Sequence, residues 1–245
     1  SIEAADWATA YPLFHWGPTA WALFCLPALA LTYVYHVRKQ PTLRLSDACR
    51  GVIGDRADGW LGRVIDVLFM FGMVGAAGTS LGLEVPVVSE SIGSVLGIER
   101  GTVLDIAVIV IWTSLFGGSV FLGLHKGLKR LANFNLWLAG ALGLFIVILG
   151  PTLFIIDSFT NSVGVVFQNV VQMSFYTDPV GGSGFEEDWT IFYWGWWIAW
   201  APFVGVFIAR ISRGRTVREF VAGALLVPTI VGFLWFTVMG GAAID

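Results

Sequence analysis

Six apolar stretches of about 20 residues run through this chain, at 12–35, 64–85, 103–124, 131–156, 190–209 and 219–242. Each is long enough to cross the hydrocarbon layer of a bilayer. In lipid no water satisfies backbone N–H and C=O groups, so a crossing segment must be a helix or a strand of a closed barrel. These runs are too long and lack the alternation of barrel strands, and an all-α membrane protein follows. Only 13% of the 245 residues are charged, against about 25% in an ordinary soluble domain. Such a chain cannot close a water-soluble surface, which excludes a soluble enzyme and a nucleic-acid-binding module. The net charge of −3 averages over two sides of a membrane and says little about partners.

Basic residues set the orientation. Arg38, Lys39, Arg44, Arg50, Arg56 and Arg63 follow the first span, Lys126, Lys129 and Arg130 the third, and Arg210, Arg213, Arg215 and Arg218 the fifth. Those loops are expected on the cytoplasmic side, and both ends of the chain outside. The alternate segments carry most of the acids, Glu186, Glu187 and Asp188 among them, and Arg100 as their one basic residue. The first ten residues are acidic and polar, unlike a signal peptide, and the first is not Met, so a fragment or a processed chain is expected. Residues 43–59 read as a cytoplasmic linker. In 161–173, NSVGVVFQNVVQM, the residues Val163, Val166, Phe167, Val170 and Val171 form one helical stripe, expected to lie on the outer surface as an interfacial helix. Asp66 and Asp105 sit near helix starts, where a capping role competes with a proton relay. Cys25 and Cys49 show no metal-ligand spacing and no disposition for a disulfide.

The segment 189–203, WTIFYWGWWIAWAPF, is the most unusual part of the chain. An interfacial belt confines Trp to the headgroup level, whereas this cluster extends for about 22 Å at 1.5 Å per residue. Some of its rings therefore face protein. At 100° per residue Trp196 and Trp200 share one face, and Tyr193 and Trp197 a neighbouring one. In FHWGPTAWALF the first span supplies Phe14, Trp16, Trp21 and Phe24. Facing rings suit a quaternary ammonium, which has no N–H to donate to a carboxylate and gains about 0.5 to 2 kcal/mol from each ring face. The competing reading is that these rings pack helices and anchor the interface.

Other features are weaker. Gly72, Gly75, Gly78 and Gly82 line the second span, a stripe that favours close helix packing. Thr79 and Ser80 offer cation-binding oxygens, but such hydroxyls more often bond back to their own helix. His15 and His36 lie about 31 Å apart on one expected helix and cannot share a metal or haem. His125 reads as an interfacial residue. The four arginines of ARISRGRTVREF, residues 209–220, suit anionic lipid headgroups.

The string WTIFYWGWWIAWAPFVGVFIARISRGRTVREF, residues 189–220, resembles the signature region of the betaine/choline/carnitine transporter family. FHWGPTAWALF, GWLGRVIDVL (59–68) and LLVPTIVGFLWFTVMGGAAI (225–244) resemble other segments of that family, in the same order. The resemblance implies a LeuT-like fold of two inverted five-helix repeats with substrate held near the midplane. Within it, 1–245 would be part of a single transmembrane domain, its spans the fourth to ninth of twelve. Residues 12–156 would be the last four helices of the first repeat, 157–188 an outer loop with the interfacial helix, and 189–245 the first two helices of the second repeat.

By motif position the family's substrate cage falls on Trp16, Trp21, Phe24 (Tyr in some members) and Trp197. Trp196 and Trp200 would form a second aromatic station on the outer access path, with Tyr193 and Trp194 beside it. A family sodium site falls on Phe203 and on a Thr whose position here is nearest Ala77, with Thr79 and Ser80 as substitutes. No cofactor is implied beyond a candidate sodium coupling ion. The implied function is secondary transport of a small zwitterionic or cationic quaternary ammonium or sulfonium osmolyte, such as glycine betaine, choline or carnitine, by alternating access. Symport and antiport both stay open, in a bacterial inner membrane and with a homotrimer as the family's habit. The alternative is a non-transporting accessory subunit derived from the same fold; a haem or quinone subunit lacks the His pair it needs.

Overall fold

A computed structural model describes residues 2–121 and 127–244. The order along the chain is α1 (Ile2–His15), α2 (Pro18–Thr32), α3 (Leu45–Ala48), α4 (Arg50–Ile53), α5 (Trp60–Leu96), α6 (Thr102–Phe121), α7 (Gly127–Leu149), α8 (Thr152–Phe175), α9 (Phe192–Ile211) and α10 (Val217–Ile244). A π turn, Tyr33–Val37, extends α2, and another, Glu186–Ile191, leads into α9. No strand is present among the described residues. Two compact units form: residues 1–74 with 146–245, and residues 75–145.

The expected first span is two helices. Gly17 is extended and Pro18 takes the first helical position of α2, since proline restricts the residue before it but suits a helix start. A Cβ on Gly17 would lie 2.5 Å from the Leu13 carbonyl oxygen, so only glycine permits the break here. His15 and His36 therefore do not share a helix, as the unbroken first span suggested. The second span runs past its expected end at residue 85: Pro86 is accommodated inside α5, which stops where Gly97 turns left-handed (φ +67) and Ile98 N–H reaches the Gly93 carbonyl at 2.9 Å, a Schellman end. Residues 131–156 are not one span either. α7 closes at Leu149, Gly150–Pro151 breaks the chain, and the expected interfacial segment becomes the C-terminal part of the 24-residue α8. Its buried residues are Ile155, Ser162, Val166 and Met173; of the expected stripe Val163, Val166 and Val170 pack toward α1, whereas Phe167 and Val171 point outward. Six helical segments have the length and hydropathy to cross a membrane, α8 among them and α6 the shorter exception. His125 and Lys126 lie outside the described residues.

In the first unit α1 packs on α8 through Leu13, Phe14, Val166 and Met173, with Phe233 and Phe236 of α10 alongside. α2 packs on α9 through Ala20, Phe24, Trp197 and Ala201. Gly205 permits that approach: a Cβ there would stand 3.1 Å from the Ala28 nitrogen and 3.3 Å from Pro27 Cγ. The 43–59 linker is short helical turns tied by charge. Arg50 pairs with Asp58 at 2.7 Å and with Asp47 at 3.0 Å, which holds Asp58 below the usual carboxylate range. Asp66 does not cap its own helix. It accepts from Arg44 at 2.7 Å and from the Ser46 N–H at 3.0 Å, pinning the linker to α5. α10 opens with a capping box: Thr216 N–H donates to Glu219 at 2.8 Å, and Glu219 N–H to the Thr216 hydroxyl at 3.3 Å.

In the second unit Arg100 pairs with Asp105 at 3.3 Å across the turn between α5 and α6. A Cβ built at Gly72, Gly75, Gly78 or Gly82 meets no described atom within 4 Å, so the small-residue stripe of α5 packs nothing among the described residues. Cys25 and Cys49 are both free thiols. Gly205→Val is expected to lower stability by about 1 to 3 kcal/mol through overpacking, while Gly240→Ala, where added volume meets open space, leaves it unchanged; thermal melting of the purified protein in detergent separates the two.

Candidate functional site

The break between α1 and α2 decides where the aromatic rings sit. A helix end leaves carbonyls without partners, and here two indoles supply the missing donors. Trp197 Nε1 donates to the His15 carbonyl and Trp21 Nε1 to the Trp16 carbonyl, both at 3.0 Å. Trp197 is thereby fixed as a hub, its ring centroid 4.6 Å from Trp16, 5.3 Å from Phe24 and 6.1 Å from Trp21, and Trp21 lies 5.6 Å from Phe24. The structure thus brings together Trp16 from the break between α1 and α2, Trp21 and Phe24 from α2, and Trp197 from α9. Their tilted and edge-to-face contacts are those of packed aromatics, and Phe24 and Trp197 are buried.

The other sequence candidates divide. Trp196 joins the group, 6.1 Å from Trp16 and 5.4 Å from Trp197, with its indole nitrogen buried and unbonded. Tyr193 stacks on Trp197 at 6.4 Å and on His15 at 4.7 Å. Trp194 packs on Phe14 at 5.4 Å, within the α1 core. Trp200 leans on Phe203 at 5.6 Å and forms no ring pair with Trp196. Thr79 and Ser80 donate to the Gly75 and Ala76 carbonyls, each at 3.0 Å, the back-bonded geometry of hydroxyls in helices. They belong to the second compact unit and Phe203 to the first. Arg210, Arg213, Arg215 and Arg218 are all exposed at the α9–α10 turn.

Beside the rings lies a cavity of about 650 Å³, walled by α1, the turn after α8 and the start of α9, with Trp16 and Tyr193 on its inner side. At its rim Asp178, itself left-handed (φ 45), accepts the Ser183 N–H at 2.7 Å, the Tyr176 hydroxyl at 3.0 Å and the Gly181 N–H at 3.1 Å. These donors, Ser183 foremost, hold its carboxyl below the usual range. Glu186, grouped from sequence with the outer-loop acids, is instead 2% exposed and lines this cavity. Its spacing carried the signal: Trp189 and Tyr193 follow it by three and seven residues, on the same helix side. His15 is also buried, sharing a 3.1 Å hydrogen bond with the Thr190 hydroxyl. No group of three or more His, Cys, Asp or Glu side chains able to hold a metal occurs among the described residues.

A sequence profile of the BCCT family, betaine/carnitine/choline family transporters, matches residues 1–245. The chain belongs to this family. It is a family of membrane transporters, not of enzymes. The glycine betaine transporter OpuD of Bacillus subtilis (strain 168) is 44% identical over 240 residues, which cover 97% of this chain and 47% of that protein. A probable glycine betaine transporter of Desulfitobacterium hafniense (strain Y51) is 40% identical over 245 residues, 100% of this chain and 49% of that one. The uncharacterized transporter YeaV of Escherichia coli (strain K12) is 36% identical over 244 residues, 100% and 51% respectively. The chain spans about half the length of these relatives.

Two outcomes follow from the geometry. Trp197→Phe keeps a ring but removes the donor to the buried His15 carbonyl, and is expected to cost about 1 to 3 kcal/mol, read by thermal melting. The Asp178 turn has a depressed folded-state pKa, so its stabilisation is complete above the ordinary carboxylate value of about 3.9 and is lost as pH falls through the lowered one. Hydrogen-exchange protection of the Gly181 and Ser183 amides should fall over that acidic range, and Asp178→Ala should abolish it at every pH.

Proposed function

We propose that this chain is the substrate-bearing part of a secondary transporter for compact quaternary ammonium or sulfonium osmolytes, glycine betaine foremost, working by alternating access in a bacterial plasma membrane. The observation that carries the reading is the convergence of Trp16, Trp21, Phe24 and Trp197 on one point between α2 and α9. The N–H edges of Trp21 and Trp197 are spent on backbone carbonyls, which leaves their π faces for a methylated cation. Such a cation is attracted to each face within about 6 Å of the ring centroid, and several faces together reach useful affinity without burying an unpaired acid. The names of the relatives that transport glycine betaine support the same substrate class.

In this reading the chain holds the last four helices of one inverted repeat, a connecting segment with α8 lying at the interface, and the first two helices of the next. α6 crosses the membrane: its 20 residues extend roughly 30 Å at 1.5 Å per residue. The arginine-rich α9–α10 turn then faces the cytoplasm and anionic headgroups, and both ends of this segment face outward. Substrate enters along Tyr193 and Trp196, and sodium is a candidate coupling ion.

The test is uptake of radiolabelled glycine betaine into proteoliposomes holding the full-length protein, with and without a sodium gradient. Uptake is expected, and Trp197→Ala should weaken betaine binding by at least ~1 kcal/mol, the loss of one desolvated ring face. Dependence on the gradient supports sodium coupling; uptake indifferent to it removes sodium from the reading. No uptake by folded protein overturns the carrier in favour of an accessory subunit.

A further inference from the structure

His15, the last residue of α1, meets the α9 segment with both its backbone and its side chain. Its carbonyl accepts the Trp197 indole N–H at 3.0 Å. Its imidazole lies nearly parallel to the Tyr193 phenol, 4.7 Å away at 19°, and its Nε2 shares a 3.1 Å hydrogen bond with the Thr190 hydroxyl. Thr190, Tyr193 and Trp197 stand at i, i+3 and i+7, so one side of the helix presents all three over about two turns.

These anchors together constrain what each alone does not. A single hydrogen bond at Trp197 leaves α9 free to pivot about that point. The stack on Tyr193 resists rotation about the helix axis, and the bond to Thr190 fixes register along it. From its own helix the imidazole is held by Tyr11 at 5.5 Å and Phe14 at 5.4 Å, and it is 2% exposed. Phenylalanine in its place supplies the flat face without the polar atom, and glutamine the polar atom without the face. The next residue is Trp16, whose ring centroid lies 4.6 Å from that of Trp197, the closest pair among the four cage rings. An error of register at His15 therefore passes directly into the cluster, and binding that depends on several converging faces is sensitive to such displacement.

We propose that His15 is a positioning residue for substrate binding: through Thr190 and Tyr193 its imidazole sets the rotation and register at which Trp197 meets Trp16, Trp21 and Phe24. This role rests on the reading of those four rings as the substrate site. His15 acts through α9 and not on the substrate, so losing its side-chain bond weakens affinity while the transport cycle itself continues.

The experiment is initial-rate uptake of radiolabelled glycine betaine by the full-length protein in proteoliposomes, over a range of betaine concentrations. His15→Phe keeps a ring against Tyr193 and removes the bond to Thr190. Its KM is expected to rise at least ~3-fold, the worth of one buried neutral hydrogen bond, with the maximal rate within ~2-fold of wild type. Thr190→Val should do the same from the other side, and the two changes combined should be no worse than either alone, as for two groups of one hydrogen bond. Unchanged KM in either variant overturns the role, as do a fall in maximal rate alone and KM effects that multiply in the double variant. If His15→Phe does not fold, Thr190→Val carries the test by its KM. Wild-type protein that takes up no betaine overturns the transport reading and this role with it, whereas saturable wild-type uptake with KM unmoved in the variants overturns the role alone.

Discussion

Two indole N–H groups on two backbone carbonyls organise the aromatic centre of this protein. A helix broken at membrane depth exposes carbonyls that lipid cannot solvate, and the break at Gly17 is forced by a glycine with no room for a Cβ and a proline that starts the next helix. Trp197 and Trp21 cap the freed carbonyls of His15 and Trp16. Everything else about the cluster depends on this. The capping fixes Trp197 at the junction of α1, α2 and α9, it draws Phe24 and Trp16 against that ring, and it turns the polar edge of each indole away from the space between the helices.

The same physics separates the two aromatic groups of the molecule. In the inner group Trp21 and Trp197 spend their N–H groups on backbone carbonyls. Tyr11 and Phe185, in edge contact at 4.8 Å, instead line the neighbouring cavity together with Glu186. Tyr193 belongs to both, stacked on Trp197 on one side and on His15 on the other. The aromatic cluster is thus two environments of different polarity joined through one phenol ring.

Much of this was legible in the residues. The lengths of the apolar runs announced an all-helical membrane protein, and the spacing in WTIFYWGWWIAWAPF together with FHWGPTAWALF named the rings that meet. What escaped were features set by partners distant in sequence. Glu186 read as a surface acid because its neighbours Glu187 and Asp188 are exposed, and only the packing of α1 against the α9 start buries it. The α8 stripe was placed only in part because an apolar face is nearly as apolar one step round the helix; Val163, Val166 and Val170 join Met173 beside Leu13 and Phe14, while Phe167 and Val171 face outward. Span ends were misplaced at Pro86 and Pro151 for opposite reasons. One proline is absorbed inside a helix while the other follows Gly150 and breaks it.

α2 and α9 are fastened to each other away from the tryptophans, whereas the Trp197 bond ties α9 to the last residue of α1. In the π turn that extends α2, His36 Nε2 donates to the Ala209 carbonyl at 2.8 Å, and Gly205 brings the two backbones into contact over Ala28. A pair clasped at one end and touching in the middle resists sliding, so mechanically it is one beam rather than two rods. Movement that opens the space around Trp197 then falls to side-chain rotation at the unclasped end, and the beam itself is the frame against which that movement is made.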